Sequence, residues 1–84
     1  MQEREIYAML SVIFAEVFMR DDLELRAEMS AWDVPGWDSF KQVEIVMTAE
    51  QQFGITMSTR ELDSLQNVGD LVTVIAEKLQ RADR

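Results

Sequence analysis

The hydroxyl group of Ser39 is the group in this sequence best placed to do chemistry. Ser39 follows Asp38, a favoured N-cap residue, and precedes a run of apolar residues at helical spacing. We therefore expect Asp38 to cap a helix and Ser39 to lie at its first position, where the helix dipole favours an incoming phosphate group. An Asp-Ser pair is more often only a structural cap, so the pair alone leaves both interpretations open.

The composition argues against catalysis by this serine. The chain contains no His and no Cys among its 84 residues. An unassisted serine hydroxyl is a weak nucleophile, and no neighbouring Lys is placed to act as its base. Covalent modification of Ser39 is the better interpretation, because a phosphodiester-linked thiol would supply the thiol group that the chain lacks. We expect no enzyme activity and no metal site.

The charge of the chain restricts its partners. Sixteen acidic residues face eight basic ones, for a formal net charge of −8. Such a field repels nucleic acid and anionic lipid, so neither is expected as a partner. A basic protein surface is the natural complement, although an excess of acid can equally serve only solubility.

The sequence also bears on localisation. The apolar run from Tyr7 to Met19 is too short to span a membrane and is interrupted by Glu16. The absence of Cys fits a reducing compartment, so a cytoplasmic protein is predicted.

The apolar pattern predicts an all-α fold in a single domain over residues 1–84. A long first helix is indicated by apolar residues at spacings of three and four: Ile6, Met9, Leu10, Ile13, Phe14, Val17 and Phe18. A long loop follows from Leu23 to Trp37 and includes Pro35-Gly36. Its apolar residues are expected to fold back over the core: Leu23, Leu25, Met29, Trp32 and Val34.

Three further helices complete a small four-helix bundle with one short member. The second runs from the Asp38 cap to a stop at Gly54, and its expected apolar face comprises Phe40, Val43, Ile45, Val46, Met47, Ala49 and Phe53. The third is short, from Thr59 to Leu65, and begins at a Ser-x-x-Glu capping box. The fourth follows a cap at Asn67, with its apolar stripe at Leu71, Val74, Ile75 and Leu79.

The segment from Trp32 to Leu79 resembles the acyl carrier protein family, including the related peptidyl carrier domains. The resemblance rests on Val34-Pro35-Gly36-Trp37-Asp38-Ser39, Val43-Glu44-Ile45-Val46-Met47, Phe53-Gly54-Ile55 and Val68-Gly69-Asp70-Leu71-Val72. The family signature is Asp-Ser-Leu at the start of helix two, and here the third residue is Phe40.

This resemblance implies a shuttle for acyl or aminoacyl thioesters. A phosphopantetheinyl transferase would move 4′-phosphopantetheine from coenzyme A to Ser39 with the help of magnesium, and Asp38 would help it recognise the site. Further partners would be a loading enzyme and a downstream synthase or transferase. A monomer is expected, because a shuttle visits several partners.

A second Asp-Ser-Leu triplet occurs at Asp63-Ser64-Leu65. It falls in the short third helix, and nothing like the helix-two pattern follows it. We expect Leu62 and Leu65 to be core contacts and interpret Ser64 as structural.

The resemblance also implies partner contacts along helix two, at Trp37, Phe40, Glu44 and Glu50. For each glutamate an ordinary solvated helix face is at least as good an interpretation, and both tryptophans could instead anchor the loop, which we favour for Trp32. The methionines are expected to fill the core, and Met47 to line an acyl-accepting interior.

The charge of helix two suggests a particular kind of carrier. Lys41 and several glutamines stand where central fatty-acid carriers often have acids, which favours a specialised fatty acid, polyketide or nonribosomal peptide pathway.

The main alternative to a carrier is an acidic helical interaction module without a prosthetic group. A gain of mass on Ser39 would separate the two hypotheses.

Overall fold

The computed structural model describes residues 2–82, which form four helices joined by loops. These are α1 Glu3–Phe18, α2 Ser39–Phe53, α3 Thr59–Asp63 and α4 Val68–Ala82. The predicted all-α fold, with three long helices and one short one, is confirmed. No described helix is long and apolar enough to cross a membrane.

Helix α1 forms one wall of the core. Ile6, Leu10, Ile13 and Phe14 are buried on it, as their spacing predicted, and the helix packs against α2 and α4. The helix begins three residues before Ile6, because the Glu5 carboxylate accepts a hydrogen bond of 3.2 Å from the Gln2 backbone N–H. That bond satisfies a backbone donor that a helix start otherwise leaves unpaired.

The long loop between α1 and α2 caps the start of α4. The carbonyl oxygens of Met29 and Ala27 accept hydrogen bonds of 2.8 Å from the N–H groups of Val68 and Gly69. The approach is close at Gly69, since a Cβ there would lie 3.1 Å from both the side chain and the carbonyl oxygen of Ala27, and the loop would have to shift to admit it. The loop also buries Met29 and Val34, as predicted, and packs two half-buried leucines, Leu23 and Leu25, on the core.

Trp32 does not anchor this loop, and that prediction is wrong. Its side chain is 97% exposed. A tight turn explains the exposure: the Asp33 N–H donates to the Ser30 carbonyl at 2.9 Å, and the Asp33 carboxylate accepts from the Ser30 N–H at 3.0 Å. The turn places Trp32 near its tip. Trp37, five residues later, anchors the loop instead.

Helix α3 ends at Asp63, two residues before the predicted end at Leu65. The predicted capping box is present, since Ser58 Oγ accepts from the Glu61 N–H at 3.1 Å and Glu61 accepts from the Ser58 N–H at 2.9 Å. Ser64 ends the helix, because its hydroxyl turns back to donate to the Glu61 carbonyl at 2.7 Å.

Candidate functional site

A tight turn delivers the chain to the start of α2. The Trp37 N–H donates to the Val34 carbonyl at 3.2 Å, which closes a four-residue turn with Pro35 and Gly36 at its centre. Gly36 has φ +88°, a conformation that residues with a side chain rarely adopt. Proline followed by such a glycine is the sequence of a type II turn. The turn fixes the direction in which Asp38 enters the helix.

Asp38 is the N-cap of α2, as predicted. Its carboxylate accepts a hydrogen bond of 2.9 Å from the Lys41 backbone N–H, and its carbonyl accepts one of 2.9 Å from the Gln42 N–H. Because the Asp38 side chain caps the helix, the Ser39 side chain does not, and Ser39 is the first residue of α2.

Ser39 is exposed at the N-terminus of a helix of 15 residues. No side chain or backbone group within residues 2–82 hydrogen-bonds its hydroxyl. The first backbone N–H groups of a helix lack partners inside it and carry a partial positive charge. An anionic phosphodiester on the Ser39 oxygen would therefore lie in a favourable field.

Trp37 holds the start of α2 against α1. Its ring packs edge-to-face with two α1 rings, Phe14 at a centroid distance of 5.3 Å and Phe18 at 6.2 Å. Its indole N–H donates to Gln42 Oε1 at 2.8 Å. The half-buried Trp37 is therefore a positioning residue here, and any contact with a partner remains a prediction.

Lys41 makes a second link between the two helices. Its Nζ donates to the carbonyl of Val17 at 3.2 Å, so the last turn of α1 lies beside the first turn of α2. The same Nζ lies 3.9 Å from Glu44 Oε2. The sequence gives no sign of the bond to Val17, which joins residues 24 positions apart.

A groove of about 490 Å³ opens beside Ser39. It lies between the start of α2, helix α3 and the start of α4. Its lining is mixed: the polar side includes Asp38, Gln42, Asp63, Gln66 and Asn67, and the apolar side includes Val43, Leu62, Leu65 and Leu71. An elongated group attached to Ser39 has room to lie in it, so the site fits a phosphopantetheine arm.

Three apolar residues of α2 point away from the core, contrary to the predicted apolar face. Phe40 is 81% exposed, Val43 46% and Met47 57%, and we call these three residues the α2 stripe. The core side of the helix is formed instead by Ile45, Val46, Ala49 and Phe53. Met47 consequently lines no interior, and that prediction is wrong. Apolar residues all around a helix do not reveal which side is covered.

The two glutamates predicted to contact partners are in different situations. Glu44 is exposed and lies next to the α2 stripe in sequence. Glu50 is half-buried, and its Oε2 accepts a hydrogen bond of 2.8 Å from the Met57 N–H. The structure thus gives Glu50 an internal role, and a partner contact of either residue remains a prediction.

Ser64 lies at the opposite kind of helix end. It follows the last residue of the five-residue α3, and its hydroxyl donates to the Glu61 carbonyl.

Glu61, in the same helix, forms an ion pair with α4, because Lys78 Nζ lies 2.8 Å from Glu61 Oε1. The hydrogen bond from Lys78, and then the one from the Ser58 backbone, lower the pKa of Glu61 to about 2. Leu62 and Leu65 are half-buried against the core, as predicted.

Comparisons with known proteins show which proteins the chain is similar to. Residues 10–75 match the family model described as "Phosphopantetheine attachment site". An acyl carrier protein of Thermotoga maritima is 32% identical over 75 residues, which cover 89% of this chain and 93% of that protein. The meromycolate extension acyl carrier protein of Mycobacterium leprae is 35% identical over 78 residues, covering 93% of this chain and 67% of that protein.

A solved structure extends the likeness to three dimensions. The solution structure of a holo acyl carrier protein from Geobacter metallireducens superposes with a TM-score of 0.85 at 36% identity. The match covers 90% of this chain and 87% of that one.

Proposed function

The chain belongs to the acyl carrier protein family, and from this premise we propose that Ser39 is the residue that bears its prosthetic group. Proteins of this family are carriers and not catalysts, and they hold acyl groups on a covalently attached 4′-phosphopantetheine. The arm supplies a terminal thiol on which the acyl group is held as a thioester.

One observation carries the assignment to Ser39. Its hydroxyl is exposed and unbonded at the N-terminus of α2 while Asp38 performs the capping, and it lies on the groove that can take the arm. Ser64 is also exposed, but its hydroxyl donates to the Glu61 carbonyl, it lies at a helix C-terminus and it does not line the groove.

The attachment step requires an outside enzyme. A new bond forms between Ser39 Oγ and the phosphorus nearer the pantetheine, the diphosphate bond of coenzyme A breaks, and its nucleotide half leaves with the bonding electrons. The hydroxyl proton must go to a base. The chain has no His, and the Asp38 carboxylate is engaged in capping the helix through the Lys41 N–H, so we propose that the transferase supplies that base.

We further propose that partners dock on the α2 stripe. Phe40, Val43 and Met47 are exposed on the helix that presents Ser39, and exposed apolar residues of this kind are typical of protein interfaces. Glu44 would meet a basic residue at the edge of such an interface. Asp38 would assist recognition by the transferase, which approaches from the same side, whereas Trp37 and Glu50 would act through the positions that they stabilise.

A dedicated loading partner is proposed from the charge of α2. Its exposed surface carries Glu44 beside Lys41, so it offers little net charge to a basic docking site. The Mycobacterium leprae relative has a specialised role by name, but its identity to this chain is close to that of the Thermotoga maritima protein, so identity alone does not choose between the roles.

The remaining proposals concern the state of the protein. We propose that residues 1–84 form one carrier domain that works as a monomer in the cytoplasm, without nucleic acid or membrane partners. The single core shared by α1, α2 and α4 supports one domain, and the net charge of −8 opposes association with other polyanions.

Peptide mapping tests the site. The protein is incubated with coenzyme A, magnesium and a broad-specificity phosphopantetheinyl transferase, then cleaved with trypsin. Cleavage after Arg26 and Lys41 places Ser39 in peptide 27–41, and cleavage after Arg60 and Lys78 places Ser64 in peptide 61–78. We expect the added mass on peptide 27–41, and fragmentation separates Ser39 from Ser30 in that peptide. Added mass on peptide 61–78 would contradict the assignment.

Competitive loading tests the dedicated partner. Modified protein is offered to a malonyl transferase from fatty-acid synthesis and, separately, to adenylating enzymes that activate acyl or amino acids, with acylated mass as the readout. We expect poor malonyl loading that improves in Lys41→Glu. Efficient malonyl loading that Lys41→Glu does not change would overturn the specialised role and leave the carrier assignment intact.

A further inference from the structure

The outer face of α1 carries a second exposed apolar stripe. Ala8, Val12, Ala15 and Met19 recur at spacings of four, three and four residues, and we call them the α1 stripe. At about 100° per residue, they lie within about 60° of one another and about 180° from the centre of the buried face. Val12 is 59% exposed and Met19 is 91% exposed. The α1 stripe therefore has no role in the core.

Met19 has an unfavourable backbone conformation, and its side chain gains no burial in return. It has φ 55° and ψ 43° at the C-cap of α1, the left-handed conformation that favours glycine. A glycine there would relieve the backbone, and it would lose no core contact because the methionine side chain is exposed. Met19 is the only non-glycine residue with positive φ within residues 2–82. A large apolar side chain at this position points to a use outside folding.

Acidic groups border the stripe at its C-terminal end. A shallow depression of about 460 Å³ is lined by Val12, Ala15 and Met19 together with Glu16, Arg20 and Asp21. The Arg20 guanidinium is occupied by Asp22, with two hydrogen bonds of 2.9 Å. Glu16 and Asp21 have no ion pair with any residue in the described part of the chain. The border of the depression thus presents uncompensated carboxylates.

We propose that the α1 stripe is a second docking surface, which takes an amphipathic helix of a partner protein whose apolar face is flanked by Lys or Arg. Apolar side chains of that helix cover Val12 and Met19, and its cations meet Glu16 and Asp21. This surface is separate from the α2 stripe, and the proposal does not depend on Ser39 as the attachment residue.

Charge decides against the other occupants of this surface. A second copy of the chain carries the same net charge of −8, so two copies brought together along this face would repel one another. An anionic lipid surface meets the same carboxylates. A basic amphipathic helix satisfies both the apolar residues and the acids.

The two docking surfaces meet near one end of the bundle. Lys41 Nζ donates to the Val17 carbonyl at 3.2 Å, so the last turn of α1 lies beside the first turn of α2. A partner helix at the Met19 end of the α1 stripe would therefore lie at the same end of the bundle as Ser39.

Titration with a designed peptide tests the proposal. The probe is a synthetic helical peptide with leucines at i, i+3, i+4 and i+7 and lysines beside them, and the control peptide has glutamate in place of each lysine. Amide shifts of the full chain, labelled with ¹⁵N, report where each peptide binds. We expect the lysine peptide alone to shift the amides of residues 8–21.

Met19→Gly gives a readout that separates docking from folding. This variant should raise the melting temperature, because glycine suits the left-handed conformation. It should also bind the lysine peptide about tenfold more weakly, because the buried methionine contact is lost. Val12→Ser should weaken binding as well, whereas Trp32→Ala, which removes an exposed apolar side chain elsewhere, should not.

Several results would overturn the proposal. They are equal binding of the two peptides, shifts confined to the α2 stripe, unchanged affinity in both Met19→Gly and Val12→Ser, and no binding at millimolar peptide. Shifts of the same α1 amides on concentrating the protein alone would identify a second copy as the occupant and would overturn the proposed partner.

Discussion

The dipeptide Asp-Ser occurs at two helix ends in this protein, with opposite consequences. Asp38-Ser39 begins a helix of 15 residues, where the carboxylate caps and the hydroxyl is unbonded. Asp63-Ser64 ends a helix of five residues, where the hydroxyl donates to the Glu61 carbonyl at 2.7 Å. The second pair is followed by leucine and so matches the family triplet better than the first.

The difference shows that helix polarity determines what the serine can do. At the start of α2, unpaired N–H groups and the positive end of the helix dipole favour a phosphodiester on Ser39. At the end of α3, carbonyl oxygens face Ser64 and would repel that anion. The two serines differ in electrostatic surroundings and hydrogen bonding, although both are exposed.

The largest expected difference in stability is between two core substitutions, one behind Ser39 and one near Ser64. Phe14 is fully buried and supports Trp37 at the start of α2, whereas Leu65 near Ser64 is only half-buried. Phe14→Ala should lower the free energy of unfolding by roughly 3–5 kcal/mol, a large part of a small domain's stability. Leu65→Ala should cost clearly less. Thermal melts followed by circular dichroism compare them, and equal melting temperatures for the two variants would remove this contrast.

The two aspartates should differ by a smaller amount. Asp38→Ala leaves the Lys41 N–H without its partner and should cost about 1 kcal/mol, the usual value for an N-cap. Asp63→Ala should be nearly neutral, because Asp63 is exposed and not a cap. Chemical denaturation measures both.

Asp38→Asn then separates capping from recognition, since asparagine caps as well as aspartate. We expect this variant to keep the stability of the parent and to be modified more slowly by the transferase. Unchanged modification kinetics would show that the transferase does not recognise the charge of Asp38.

Lowering the pH should destabilise the region around Ser64, because it protonates Glu61. The pKa of this carboxyl is lowered from 4.5 to about 2, chiefly by the hydrogen bond from Lys78. Its contribution to stability is therefore complete above pH 4.5 and is lost as the pH falls towards 2. Glu61→Gln should lose less stability than the parent across this range, in denaturant melts at each pH. An identical acid dependence of the two proteins would count against the Glu61–Lys78 pair.

Local patterns in the sequence predicted most of the elements. The Asp38 cap, the Gly54 stop and the capping box from Ser58 to Glu61 are each determined within a few residues, so the helices that they bound were predicted nearly to the residue. Of these two helices, only α3 has a displaced end, because the Ser64 hydroxyl competes for a carbonyl of its own helix.

Contacts between distant segments could not be predicted in this way. The bond from Lys41 to the Val17 carbonyl and the exposure of Trp32 depend on how the long loop crosses the bundle. The exposure of Phe40, Val43 and Met47 likewise follows from which face α1 covers, and an apolar pattern gives no information on that. The candidate site could be proposed from the sequence because its signal, a serine after a helix cap, is local.

Intact mass spectrometry of three proteins tests the central claim most directly. The parent, Ser39→Ala and Ser64→Ala are each incubated with coenzyme A, magnesium and a phosphopantetheinyl transferase, and circular dichroism confirms that each is folded. Both serines are exposed, so neither substitution should unfold the chain. We predict one phosphopantetheine on the parent and on Ser64→Ala, and none on Ser39→Ala. Modification that persists in Ser39→Ala, or that disappears in Ser64→Ala, would contradict the account.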